Sequence, residues 1–168
     1  MNKVLKIFYL FFIMILFAGC SHYSEQPRAV INEIITAYNT GDYESLWIRT
    51  LEVDKIALTE DFNNNKDNYE FLTMMLYTLK LNRRPLDEIS KGQYLYGLFK
   101  MVVGDEKMVF DHFNKKSKNI LIAVIKIGSK EYNMPLVYEK EKWFMKVNWF
   151  TKLIYIFYFK IGQNFSKI

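Results

Sequence analysis

The spacing of apolar residues changes character once along this chain, near Gly104, and that change decides the fold class. Before it, apolar residues recur at the three- and four-residue intervals of amphipathic helices. After it come short runs rich in β-branched residues, separated by turn residues. Helices first and strands afterwards predict an α+β domain, with N-terminal helices followed by an antiparallel meander of about four strands.

Pro27 suits the first position of a helix whose apolar face is Val30, Ile31, Ile34, Ile35 and Tyr38. Asn39-Thr40-Gly41 reads as its stop, and Asp42 as the cap of a second helix carrying Tyr43, Leu46 and Trp47. The stretch from Ile48 to Leu58 fits helix or strand, and Asn63-Asn64-Asn65 reads as a loop. Asp67 and Glu70 resemble a capping box for a third helix striped by Leu72, Met75, Leu76 and Leu79, ending at Asn82 and Pro85. A fourth helix is expected to begin near Pro85, with Asp87 and Glu88 in its first turn. Its face is Leu95, Leu98, Phe99 and Val102, interrupted by Gly92 and Gly97.

Beyond Gly104, Met108–Phe113 is a short strand, and Asn114 to Lys118 reads as a solvated hairpin tip. Asn119–Ile127 is a central strand. Gly128-Ser129 turns into Glu131–Tyr138, and Glu139 to Lys142 turns again into Trp143–Trp149.

One cysteine, Cys20, allows no internal disulfide, so the fold must rest on its core. The supply is ample: 12 Tyr, 14 Phe and 3 Trp furnish large apolar side chains. The formal charge of +5 is mild. It suits an anionic membrane surface and gives no argument for nucleic acid.

The start of the chain has three parts: basic Lys3 and Lys6, an apolar run from Ile7 to Phe17, then Ala18, Gly19 and Cys20. That is the layout of a cleaved secretory signal. The run is shorter than the ~20 residues a spanning helix needs, and Ser21, His22, Tyr23, Ser24 and Glu25 follow it. Phe17-Ala18-Gly19-Cys20 resembles the lipobox of bacterial lipoproteins, with Phe17 where that family usually has Leu. The resemblance implies cleavage between Gly19 and Cys20, lipid on the Cys20 thiol, and anchoring to a membrane of the cell envelope. In a two-membrane bacterium, Ser21 would permit sorting to the outer membrane. Residues 1–19 are then the signal peptide, 20–26 the lipidated cysteine with a short tether, and 27–168 a single domain ending in an aromatic segment, 150–168. Removal of the signal lowers the formal charge to +3, since only Lys3 and Lys6 are lost. The polar tether spans at most ~20 Å, which keeps the domain close to the bilayer.

Two stretches, "PRAVINEIITAYNTGDYESLW" (Pro27–Trp47) and "KNILIAVIKIGSKEYNMPLVYEKEKWFMKVNWF" (Lys118–Phe150), resemble the NTF2-like superfamily, cystatin-like in fold. They are closest to its small lipoprotein members of unknown function. The resemblance implies a helix ending at an Asn/Gly-Asp turn, packed on a sheet curved into a cone. The middle of the chain, 51–105, carries more helix than short members do. Such cones host enzymes, carriers and interaction modules alike, so the fold implies no activity.

The residue inventory argues against several chemistries. His22 and His112 are the only histidines, and with Cys20 lipidated no Cys/His cluster remains for a metal. No glycine-rich phosphate loop occurs, and no cofactor is expected. Asp111 and His112 point to opposite faces of a regular strand and cannot couple there. Candidate cavity-lining residues are Tyr132, Met134, Tyr138 and Trp143, with an aromatic core lacking any ligand as the simpler reading. Phe150, Leu153, Ile154 and Phe157 recur at helical spacing; they either close the core or face the bilayer. The functional expectation is a membrane-anchored, non-catalytic binding module for an envelope protein or a small apolar ligand. A small-molecule enzyme or carrier using the cone is the alternative, and a structural protein with a bilayer-facing C-terminal segment is a third.

Overall fold

The computed structural model describes residues 25–65, 69–81 and 88–147. These form an α+β structure in which five helices pack against a four-stranded antiparallel sheet. The helices are α1 (Pro27–Thr40), α2 (Tyr43–Ile48), α3 (Glu52–Asn65), α4 (Tyr69–Thr78) and α5 (Lys91–Val103). The strands are β1 (Met108–Ser117), β2 (Ile120–Ile127), β3 (Lys130–Glu139) and β4 (Lys142–Met145), a meander in which each strand pairs with the next.

Local chemistry explains most boundaries. Pro27 opens α1, and Gly41 closes it at φ 74°, where the Asp42 N–H reaches the Ala37 carbonyl. Asp42 then caps α2, accepting from the Ser45 N–H at 3.1 Å and the Ser45 hydroxyl at 2.7 Å. Helix α4 ends in the same kind of motif, with Lys80 left-handed at φ 58° and the Leu81 N–H on the Leu76 carbonyl.

Four expectations from the sequence need correction. Helix α5 begins at Lys91 rather than near Pro85, because Ser90 and Gln93 form a complete capping box. Asn63, Asn64 and Asn65 are the last turn of α3, not a loop; the Asn65 amide donates back to the Asp61 carbonyl at 2.9 Å. Asn114 to Ser117 extend β1, so the hairpin tip is only Lys118 and Asn119. Glu25, counted with the tether, is bound to the domain by hydrogen bonds described below. The ambiguous stretch is both things in turn: Thr50 bridges Met145 in parallel, then α3 starts. Asp67, Asn82 and Pro85 lie outside the described residues, as do Asn148 and Trp149.

The core lies between the helices and one face of the sheet. Val30, Ile31, Ile34 and Tyr38 of α1, Leu72 and Met75 of α4, and Leu95, Leu98 and Phe99 of α5 meet Ala123, Ile125, Met134, Leu136, Trp143 and Met145. Each large side chain so enclosed contributes ~1.5–3 kcal/mol over leaving it in water, which is how a fold without disulfides is held. The two helix-interior glycines mark close approaches. A Cβ on Gly97 would meet Met75 Cγ at 2.4 Å, and one on Gly92 would meet the Tyr43 carbonyl oxygen at 2.7 Å.

Candidate functional site

Strand alternation puts Tyr132, Met134 and Tyr138 of β3 and Trp143 of β4 on the helix-facing side of the sheet. Met134 and Trp143 are enclosed in the core, while Tyr132 and Tyr138 are half-buried against it. The Tyr138 and Trp143 rings sit 5.1 Å apart. Cys20, Gly19, Phe150, Leu153, Ile154 and Phe157 lie outside the described residues.

Asp111 and His112 do come together, contrary to the regular-strand expectation. Phe110 pairs with Ile125 and His112 with Val124, so Asp111 is the extra residue of a β-bulge. The bulge breaks the alternation and lets Asp111 Oδ2 approach His112 Nδ1 to 3.0 Å and Lys126 Nζ to 3.2 Å. The hydrogen bond from His112, then that from Lys126, holds the Asp111 carboxyl below its ordinary value. Asp111 in turn raises Lys126. This cluster is exposed to solvent, and no described hydroxyl or thiol hydrogen-bonds to His112. It is an ion pair on a strand, without the nucleophile a catalytic couple would activate.

A second polar cluster closes the far end of the helices. The Tyr38 hydroxyl donates to the Gly104 carbonyl at 3.0 Å, and the Tyr96 hydroxyl to the Tyr38 carbonyl at 3.1 Å. The Lys100 ammonium lies 4.7 Å from the Tyr38 ring centre and 3.6 Å from Asp105. Burial foremost, then the neighbouring Tyr96 and Asp105, pushes the Tyr38 hydroxyl well above the ordinary tyrosine range; burial and Asp105 raise Tyr96. Every group here is engaged in packing one element on another.

The third cluster was not legible in the sequence, because its members are far apart in the chain. The Arg49 guanidinium grips Glu33 with two N–H groups, at 2.9 and 2.5 Å, and donates a third to Glu25 at 2.8 Å. The other Glu25 oxygen accepts from the Trp143 N–H at 2.8 Å. Further along the same strand, Met145 exchanges backbone hydrogen bonds with Arg49 and Leu51, and the Val147 N–H donates to the buried carboxylate of Asp54 at 2.5 Å. One edge of β4 thus carries the α2–α3 junction and the start of the described chain.

The opposite face of the sheet has a different character. Ile120, Ile122 and Val124 of β2, Pro135 and Val137 of β3, and Phe144 of β4 alternate with the core residues. The register sets Ile122 beside Pro135 and Val137 between Ile120 and Phe144. None of the six belongs to the core cluster, although Val124 is only 4% exposed.

Open grooves lie between α2, α3 and α5, beside Trp47, Ile56 and Lys91, and between α1 and β1, beside Arg28, Ile35 and Phe110. Neither is lined by a buried charged group. Among the described residues no three His, Cys, Asp or Glu side chains are grouped to hold a metal. No described helix is long and apolar enough to cross a membrane. No family model, curated protein or solved structure matches the chain.

Proposed function

We propose that this chain is a membrane-anchored envelope lipoprotein whose NTF2-like domain is a non-catalytic binding module for a protein partner. The observation that supports the binding role is the apolar stripe Ile122, Val124, Pro135, Val137 and Phe144 on the sheet face opposite the one that the described helices pack against. A contiguous apolar stripe of this kind offers area to another protein. The described polar clusters serve packing and ion pairing, which leaves the surface as the functional part.

Two experiments test the reading in its separate parts. Replacing Cys20→Ser should abolish incorporation of labelled fatty acid and release the protein from membranes; retention of labelled, membrane-bound protein removes the lipoprotein assignment. A photo-reactive phenylalanine analogue at position 144 of the lipidated protein in cells should give one discrete adduct with another protein. The same analogue at position 116, on β1, should not. Adducts from position 144 only to the chain's own residues 148–168, or identical adducts from both positions, overturn the binding role of this face.

A further inference from the structure

The outer edge of β4 is where the chain outside the described residues joins the domain. Trp143 binds Glu25, the first described residue, and only Ser21 to Ser24 separate Glu25 from Cys20. Fully extended, that connection reaches at most about 18 Å. Val147, the last described residue before 148–168, is held on the same edge by Asp54. A lipid on Cys20 therefore brings this edge, and not the remote β2–β3 turn at Gly128-Ser129, to the bilayer.

Next to the edge lies apolar surface that the core does not use. The large exposed hydrophobic residues of the described structure are Ile48, Val53, Ile56, Met74, Tyr77 and Val109, and the first three belong to the α2–α3 junction and the first turns of α3. Ile48 is 62% exposed, Val53 61% and Ile56 56%. Val53 and Ile56 share the outward face of α3, one turn apart, while Asp54 and Leu58 point inward. Arg49, next to Ile48, is the residue that holds Glu25.

We propose that Ile48, Val53 and Ile56 form a membrane-contacting surface that rests in the headgroup and upper acyl region of the bilayer carrying the Cys20 lipid. The proposal rests on lipidation of Cys20. Its chemistry is apolar rather than electrostatic: Arg49 is neutralised by Glu25 and Glu33, and Glu52 and Glu60 beside the patch are balanced by Lys55 and Lys91. The contact is shallow, as a partly polar helix face requires, and it is independent of anionic lipid.

The test uses the full lipidated protein in phosphatidylcholine vesicles, with and without phosphatidylglycerol. An environment-sensitive fluorophore is placed through Ile56→Cys or, as a control at the far end of the sheet, Lys130→Cys; both sites are exposed, so neither change disturbs the core. Lipid spin-labelled near the headgroup should quench about half the emission from position 56 and little from position 130, at low and high salt alike. Equal quenching at the two positions, stronger quenching at 130, or quenching at 56 only with anionic lipid at low salt overturns the proposal. Flotation of the same samples, with Cys20→Ser alongside, separates the two ideas. Protein that floats through Cys20 while position 56 stays in water removes the orientation and leaves the anchor. Cys20→Ser protein that floats equally well removes the anchor.

Discussion

Asn39 grips the start of β1 with both ends of its amide, donating to the Met108 carbonyl at 2.9 Å and accepting from the Met108 N–H at 2.8 Å. The sequence marked Asn39 only as a helix-stop residue, since its partner lies far along the chain. Asn39→Ala should lower stability by about 1–2 kcal/mol, seen as a lower urea midpoint with an unchanged slope. Arg49→Lys should cost a similar ~1–2 kcal/mol, because an ammonium cannot reproduce the three-way fork to Glu33 and Glu25; thermal unfolding of the two proteins side by side checks it. Tyr38 supplies a pH dependence. Its hydroxyl ionises at ~10 in the unfolded chain and higher in the folded one, so the unfolded state loses its proton first. Stability is intact below that pH and falls as pH rises past it. Tyr38→Phe should flatten the decline as pH rises above about 10, measured by urea midpoints.

At the scale of elements, the hairpin between β3 and β4 turns on Lys140 and Glu141, both left-handed at φ 49° and 65°. That is the backbone of a type I′ turn, which favours Asn-Gly. Changing the pair to Asn-Gly should stabilise the fold by about 1 kcal/mol, read as a higher unfolding temperature. The turn was legible from composition, but its type was not, because Lys-Glu carries no left-handed preference. Gly97 shows the opposite case. In sequence it weakened the prediction of α5; in space it lets Met75 of α4 approach the α5 backbone. Gly97→Ala should therefore cost about 1–3 kcal/mol from overpacking, only partly offset by ~1 kcal/mol of helix propensity, and equilibrium unfolding would reveal the net loss. The capping box Ser90-x-x-Gln93 is readable in the sequence, and it, not the more conspicuous Pro85, sets the start of α5.

At the scale of the whole molecule, one core joins α1, α4 and α5 to all four strands. Helical circular dichroism and the emission of the fully buried Trp143 should accordingly be lost at the same urea concentration. The α+β class and the order of elements were readable from the sequence alone, because hydrophobic period depends on near neighbours in the chain. The same locality made Gly41 and Asp42 recognisable as caps, and it set Tyr132, Met134, Tyr138 and Trp143 on one face. Three things were decided only in three dimensions. The bulge at Asp111 brought that carboxylate to His112, because pairing with β2 leaves one residue too many on β1. The Arg49 fork drew Glu25 out of the expected tether and into the domain. The second face of the sheet kept its apolar stripe outside the core, since alternation tells which residues share a face but not which face the helices will cover. Contacts between residues distant in the chain are set by the packing of whole elements, and no local pattern encodes them.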